Sequence, residues 1–348
     1  MVVDDSLTVR TIFKRMVDSD PALRVVDTAS SAERAIAQLS REPADVILLD
    51  LEMPGMGGLK GLPEILDAAR GAQVLVVSAL TEEGANATLA ALSMGAADTM
   101  LKPRPGEFND DYRAQLLAKI RALGGTSEEP RADRKQKEAI RKPLRHPRGK
   151  RPEVLAIGAS TGGIHAMNML LRALPPLFDP PILITQHLPA SFVPVFARQL
   201  ETNCARRSVI AESGTEIKRG EIVVANGDGH MIVERIGDRL VTKVSHEPSV
   251  SGCVPSVDPM LSSVARACQG RVLAVILSGM GRDGLEGSRD LVALGGTVYA
   301  QNAETSAVWG MPGAVAKEGI TSLVASPEAL ARAIVAACDV PAEADAAL

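Results

Sequence analysis

Three features of the 348-residue sequence predict an α/β protein of two domains, each a doubly wound, mostly parallel sheet. Short continuous apolar runs alternate with segments whose apolar residues recur at helical spacing, the pattern of strands buried on both faces. Residues able to do chemistry stand just after those runs, where the carboxyl ends of parallel strands open onto a crevice. A basic, Pro-containing stretch over 124–152 divides the alternation into two series.

The first series covers 1–123. Val2 and Val3 read as the end of a strand with an acidic rim, Asp4-Asp5. Ser6 is a fitting N-cap for a helix carrying Val9, Ile12, Phe13 and Met16 at helical spacing. Residues 23–26 predict a second strand and 32–39 a helix. Residues 46–49 predict a third strand, ending in Asp50, and 74–77 a fourth, ending in Ser78. Thr81 caps a helix reaching Met94, where Gly95 is placed to stop it. Residues 99–101 form a last short strand before Lys102-Pro103, and 108–123 a closing helix.

Asp4, Asp5, Asp50, Ser78 and Lys102 therefore gather at one sheet edge. Three carboxylates in one crevice repel one another without a cation, and an all-oxygen set of this kind suits Mg²⁺. A carboxylate beside a metal and a lysine can accept a phosphoryl group, since both cations neutralise the incoming oxygens. One Asp at a strand end is readily a solvated loop charge. Three, with a hydroxyl and a Lys-Pro at separate strand ends, are not.

Over 124–152 ten Lys/Arg face four Asp/Glu, a net of +6 that leaves −10 on the rest of the chain. Few apolar residues and several Pro make this a flexible tether, with 132–142 a candidate solvated helix. A charged spacer is the simpler reading, and a docking patch for an acidic surface the alternative.

The second series, 153–338, opens on a strand at 154–157 and the turn Gly158-Ala159-Ser160-Thr161-Gly162-Gly163. Met167, Leu170, Leu171 and Leu174 then follow at helical spacing. A serine on a sharp strand-to-helix turn exposes its hydroxyl beside helix-start N–H groups, as nucleophiles do in several hydrolase folds. A plain Gly-rich loop reads equally well from this stretch alone. Residues 182–185 predict a strand before Gln186-His187, and 192–200 a helix. Residues 221–225, 230–235 and 240–245 are strand-like, the last two joined by Gly237-Asp238 as a hairpin. Residues 255–267 contain a helix. The six apolar residues 272–277 predict a buried strand leading to Asp283, followed by a helix with Leu285, Leu291 and Leu294. A strand over 297–300 and a helix capped by Ser326 before Pro327 complete the unit. Residues 339–348 read as a frayed acidic tail.

Ser160, His187 and Asp283 thus follow three strands of one parallel sheet. A serine hydroxyl becomes a nucleophile when an imidazole takes its proton and a carboxylate orients that imidazole. Backbone N–H groups at 160–163 and 278–281 are candidate oxyanion donors. Four other histidines compete for the role of base. His165 is too near Ser160 in sequence to face it easily, His230 reads as a turn residue, His146 falls in the tether and His246 in a loop. His187 is preferred because it follows a buried strand.

A formal charge of −4 argues against a general nucleic-acid binder. With aromatics at 2% of a chain that is 46% hydrophobic, aliphatic side chains must fill both cores. Cys204, Cys253, Cys268 and Cys338 are scattered without C-x-x-C spacing, as reduced thiols are. No secretory pattern opens the chain, and no apolar run approaches the ~20 residues of a membrane span. A soluble cytoplasmic protein without membrane insertion is expected.

Residues 1–123 resemble a response-regulator receiver domain. The motifs that carry the likeness are Val2-Val3-Asp4-Asp5-Ser6, Leu48-Leu49-Asp50-Leu51-Glu52-Met53-Pro54-Gly55-Met56, Val76-Val77-Ser78-Ala79 and Leu101-Lys102-Pro103. The resemblance implies a flavodoxin-like (βα)5 fold, with Asp50 the phosphoacceptor and Asp4, Asp5 and Asp50 the holders of Mg²⁺. It makes Ser78 the switch hydroxyl and Lys102 the phosphoryl contact, with a cis bond before Pro103. The chain departs from the family in a first strand that lacks several leading residues, in Gly57 where Asp is usual, and in Thr99 where an aromatic residue is usual.

Residues 154–337 resemble the catalytic domain of the chemotaxis-type protein-glutamate methylesterases, the CheB family. Five motifs stand in family order. They are Ile157-Gly158-Ala159-Ser160-Thr161-Gly162-Gly163, Gln186-His187-Leu188-Pro189-Ala190-Ser191-Phe192, Pro255-Ser256-Val257-Asp258, Leu277-Ser278-Gly279-Met280-Gly281-Arg282-Asp283-Gly284 and Val308-Trp309-Gly310-Met311-Pro312. Ile164 replaces a common Pro. The resemblance implies Ser160 as nucleophile, His187 as base and Asp283 as its orienter, with Thr161 and Met280 shaping the site. It implies hydrolysis of glutamate methyl esters, and deamidation of glutamines, on the cytoplasmic part of chemoreceptors, with no cofactor for the ester chemistry. A histidine kinase would phosphorylate Asp50 and relieve a block of the Ser160 edge. A response regulator whose second domain only binds a partner, and an esterase of a non-motility pathway, are the alternatives.

Overall fold

The computed structural model describes residues 1–78, 81–103, 108–125 and 151–338. The chain divides into two compact units, Met1–Asp133 and Arg134–Leu348. The predicted tether helix over 132–142 and the predicted tail lie outside the described residues.

The first unit runs β1 (Val2–Val3), α1 (Leu7–Asp18), β2 (Thr28–Ala29), α2 (Ala32–Leu39), β3 (Val46–Asp50), α3 (Gly57–Ala68), β4 (Gln73–Ser78), α4 (Glu82–Met94), β5 (Asp98–Leu101) and α5 (Asp110–Leu123). The five strands pair in parallel in the order β2-β1-β3-β4-β5. The central strands β3 and β4 are apolar and almost fully buried, as a sheet covered on both faces demands. Ser6, Ser31, Thr81 and Asn109 each accept a backbone N–H at a helix start. Gly95 ends α4 in the left-handed conformation, as its position predicts.

Two expectations for this unit are corrected. The second strand is Thr28–Ala29 and not 23–26, because Val25 N–H is taken by Asp18 Oδ1 and Leu23 N–H closes a turn on Asp20. Its ladder is limited to the two residues of β1. The Lys102–Pro103 bond is not cis; among the described residues the cis peptide is Val254–Pro255.

The second unit runs β6 (Val154–Ala159), α6 (Gly163–Arg172), β7 (Ile182–Gln186), α7 (Val193–Cys204), β8 (Ser208–Ile210), β9 (Ile222–Val224), β10 (His230–Ile236), β11 (Arg239–Ser245), α8 (Val257–Ala267), β12 (Val272–Ile276), α9 (Leu285–Ala293), β13 (Thr297–Gln301), α10 (Met311–Glu318), β14 (Leu323–Ala325) and α11 (Pro327–Ala337). Seven strands form one parallel sheet in the order β14-β13-β12-β6-β7-β9-β8. The antiparallel hairpin β10-β11 turns at Gly237-Asp238 and stands apart from that sheet.

Helix α8 ties the hairpin to the sheet. Its Val257, Met260, Leu261 and Val264 are buried in one cluster with Met231 and Val233 of β10 and Ala274 and Ile276 of β12. Strand β6 is flanked by β12 and β7, so the three strand ends that carry Ser160, His187 and Asp283 are immediate neighbours. The chain order reverses there, which is where open α/β sheets leave a crevice for ligands.

Candidate active site

Ser160 sits one residue past β6. Its own N–H donates to Ser278 O (3.0 Å), while its carbonyl accepts from Gln186 Nε2 and Gly163 N–H (2.9 Å each). These bonds fix the backbone on both sides of the side chain. The turn needs its glycines: Gly162 lies at φ +76°, and a Cβ on Gly163 would come 2.6 Å from Ala159 Cβ. A Cβ on Gly279 would meet Met311 Sδ at 2.3 Å and Ser160 Cβ at 2.9 Å, so the strand-end loops of β6 and β12 pack without space between them. The Ser160 hydroxyl makes no hydrogen bond to any described residue and is partly exposed.

His187 follows β7, with its N–H on Ala159 O (3.1 Å). Its Nε2 pairs with Asp283 Oδ2 at 2.7 Å. The histidine side chain is 17% exposed and the aspartate 1%. Burial acts to lower the imidazole pKa, but the hydrogen bonds and charges of Asp283 and Cys253 outweigh it and raise the value to about 9. Burial acts to raise the Asp283 carboxyl. Its bonds to His187, Ser256 and Val257 prevail and hold it well below the usual carboxylate range.

The structure thus brings the predicted base and orienter into contact. It does not place a hydrogen bond between Ser160 and His187. With Nε2 committed to Asp283, Nδ1 is the nitrogen left to accept a proton.

Sequence reasoning missed the cradle of Asp283. Oδ1 accepts from Ser256 Oγ (2.7 Å) and Gly284 N–H (3.0 Å), and Oδ2 from Val257 N–H (2.7 Å). Ser256 is fixed in turn by His230, whose Nδ1 accepts the Ser256 N–H at 3.0 Å. His230 is not a turn residue; it begins β10 and is 2% exposed. Only the place of Pro255-Ser256-Val257-Asp258 among the motifs that carry the family resemblance hinted at this role, since nothing local says which distant carboxylate a serine will meet. Asp258, behind Asp283, is pushed up to about 7 by burial, with the Gly287 N–H opposing and the Asp283 charge adding.

The proposed oxyanion donors are partly corrected as well. Ser160, Gly163 and Gly279 spend their N–H groups inside the protein, on Ser278, Ser160 and Val308 carbonyls. Gly162, Met280 and Gly281 donate to no described residue, so their amides remain to meet an oxyanion. Met280 is 42% exposed, and Thr161 is buried with its carbonyl on Ser278 Oγ (2.7 Å).

In the first unit, Lys102 Nζ lies 2.7 Å from Asp50 Oδ2 and 2.9 Å from Asp4 Oδ2. Asp4 and Asp50 are buried and Asp5 exposed, with one oxygen of each within 4.8 Å of the others. Asp4 Oδ2 is near Lys102 but accepts no well-directed hydrogen bond. A buried oxygen left in that state beside two more carboxylates fits a hard divalent cation. Burial raises the Asp50 pKa, with the Lys102 ammonium opposing and the Asp4 charge adding. Burial acts to lower Lys102, but its ion pairs with Asp4 and Asp50 raise it. Ser78 is buried and accepts from Thr88 Oγ1 of α4 at 2.6 Å, a partner not foreseen from the sequence.

Residues 155–334 match the CheB methylesterase family and residues 1–110 the response regulator receiver domain. A protein-glutamate methylesterase/protein-glutamine glutaminase of Rhodospirillum rubrum is 39% identical, over 93% of this chain and 91% of its own. One of Azospirillum brasilense is 38% identical, over 93% and 90%. The crystal structure of the Thermotoga maritima CheB methylesterase catalytic domain covers 53% of this chain and 98% of its own, at 31% identity and a TM-score of 0.52.

Proposed function

The chain belongs to the CheB methylesterase family, with a response regulator receiver domain at its N-terminus, and from that premise we propose how it works. It is a carboxylic ester hydrolase, a protein-glutamate methylesterase and protein-glutamine glutaminase. The observation that carries the mechanism is the 2.7 Å His187–Asp283 pair on the sheet edge that also holds Ser160.

Ser160 Oγ attacks the γ-carbonyl of a glutamate methyl ester and passes its proton to His187 Nδ1. Asp283 holds Nε2–H and stabilises the imidazolium. The amides of Gly162, Met280 and Gly281 face the developing oxyanion. His187 returns the proton to the leaving methoxide, releasing methanol, and then draws a proton from water as it hydrolyses the acyl-enzyme. With glutamine the leaving group is ammonia and the rest is unchanged.

The substrates we propose are methylated chemoreceptors, and the phosphodonor is a histidine kinase of the same pathway. Asp50 accepts the phosphoryl group, and Lys102 neutralises its oxygens. Asp4, Asp5 and Asp50 would hold Mg²⁺, which supplies charge neutralisation for the transfer. No helix among the described residues is long and apolar enough to cross a membrane. We place the enzyme in the cytoplasm, where reduced thiols and receptor tails are found.

The test is methanol release from methylated receptor, with and without a phosphodonor and Mg²⁺. The wild-type chain releases methanol and the phosphodonor raises the rate. Ser160→Ala abolishes release at either level. Undiminished release by that variant would remove the serine mechanism.

A further inference from the structure

Beside the proposed catalytic pair stands a third group the mechanism does not use. Cys253 is half-buried in the loop before Pro255. One His187 ring nitrogen, the Cys253 sulfur and one Asp283 oxygen all lie within 4.8 Å of one another. From this juxtaposition we propose that His187, Cys253 and Asp283 form a binding site for Zn²⁺, and that zinc occupying it switches the hydrolase off. The inhibitory part rests on the reading of His187 as the base; the metal site itself does not.

The donor set decides the metal. Nitrogen, thiolate and carboxylate together are the ligands of zinc, whereas the all-oxygen group Asp4, Asp5 and Asp50 suits magnesium. Zinc holds nitrogen at ~2.0 Å and sulfur at ~2.3 Å, so tetrahedral ligand atoms stand roughly 3.3–3.6 Å apart. The three atoms need to move by about an ångström, within the reach of side-chain rotation. The part-exposed imidazole and thiol give a cation its entry, while the buried carboxylate is already anionic and held by Ser256, Val257 and Gly284.

The step balances without a redox partner. Cys253 S–H and the protonated His187 ring each give one proton to water as the Zn–S and Zn–N bonds form, and the Asp283 carboxylate contributes the second negative charge against Zn²⁺. The fourth position takes water. Zinc on Nδ1 occupies the lone pair that would accept the Ser160 proton. Zinc on Nε2 moves the ring proton to Nδ1, with the same result. Either geometry also breaks the His187–Asp283 hydrogen bond. Ser160 is then left without a base.

Full-length protein in excess Mg²⁺ is titrated with Co²⁺, a spectroscopic substitute for zinc, and then with Zn²⁺. One equivalent of Co²⁺ gives a thiolate-to-cobalt charge-transfer band that Zn²⁺ removes. Cys253→Ser and Cys253→Ala lose the band, although Cys204, Cys268 and Cys338 remain. In methanol-release assays, each variant measured against its own metal-free rate, Zn²⁺ inhibits the wild type and a chelator restores it. Losing the thiolate raises the zinc needed for half-inhibition by roughly tenfold or more, since even an outer-shell loss costs 10–100-fold in metal affinity. The absence of the band, or an equal zinc response in wild type and Cys253 variants, overturns the proposal. A band without methanol release from the metal-free chain leaves the metal site standing and removes the esterase reading instead.

Discussion

Asp283 does not merely lie near His187; it offers Oδ2 to His187 Nε2 at 2.7 Å while four protein donors hold its two oxygens in place. Donors surround both oxygens, so an amide cannot replace the carboxylate without setting its NH2 against another donor. Asp283→Asn should lower methanol release on the order of 10⁴-fold, the cost of holding a catalytic imidazole in the wrong tautomer. Circular dichroism of the variant separates this from unfolding. A loss of tenfold or less would mean that Asp283 does not orient the base.

The same pair sets the pH dependence. Burial alone would favour neutral His187, yet Asp283 and Cys253 raise its pKa to about 9. A base must be neutral, so activity belongs to the high-pH side. Catalytic efficiency should climb through neutrality with an apparent pKa well above the ordinary 6.5, toward about 9. Stability runs the opposite way. The raised pKa stabilises the fold fully below the unfolded value near 6.5, and that contribution fades as pH rises through about 9. A kcat/KM profile already flat at neutral pH would contradict the assignment.

Most of this site was legible in the sequence, because parallel strands announce themselves as buried apolar runs and their ends share an edge. Ser160, His187 and Asp283 could be gathered on that ground alone. The support around them could not. Ser256 and His230 join Asp283 through contacts spanning 26 and 27 residues, and no periodicity encodes such a meeting. Helix α3 was missed for a related reason. Gly57, Gly58, Gly61 and Pro63 argue against a helix locally, yet a Cβ on Gly58 would meet Asp50 O at 2.1 Å and one on Gly61 would meet Ala32 Cβ at 2.6 Å. Close packing, and not propensity, chose Gly58 and Gly61. Edge strands β8 and β14, three residues each, are half-buried and too short to give a clear pattern.

Lys102 makes the matching test in the receiver. It neutralises Asp50 at 2.7 Å and Asp4 at 2.9 Å, and both carboxylates are buried. Lys102→Ala should destabilise this unit by about 1–3 kcal/mol, less than the ~3–5 kcal/mol typical of a fully buried pair because the lysine side chain is 26% exposed. Mg²⁺ should offset most or all of the loss, contributing about 2.7 kcal/mol at a hundred times its dissociation constant. Thermal melts of the full-length variant with and without Mg²⁺ measure both effects. A melting temperature indifferent to Mg²⁺ would argue against a cation on Asp4, Asp5 and Asp50.

Gly279 offers the sharpest separation of positioning from stability. Its missing Cβ leaves room for Met311 Sδ, 2.3 Å from where that carbon would sit, and for Ser160 Cβ at 2.9 Å. Met311 is a flexible side chain and can shift, whereas Ser160 is pinned through its N–H on Ser278 and its carbonyl on Gln186. The strain of Gly279→Ala therefore falls on the serine and on the adjacent Met280 amide. A displacement of about 1 Å in a reacting group can cost ~10²-fold in rate. Gly279→Ala should lower kcat by about that factor while the cooperative melt persists, because its backbone conformation is one alanine can adopt. Full activity in a folded Gly279→Ala chain would show that the serine's placement is not set by this contact.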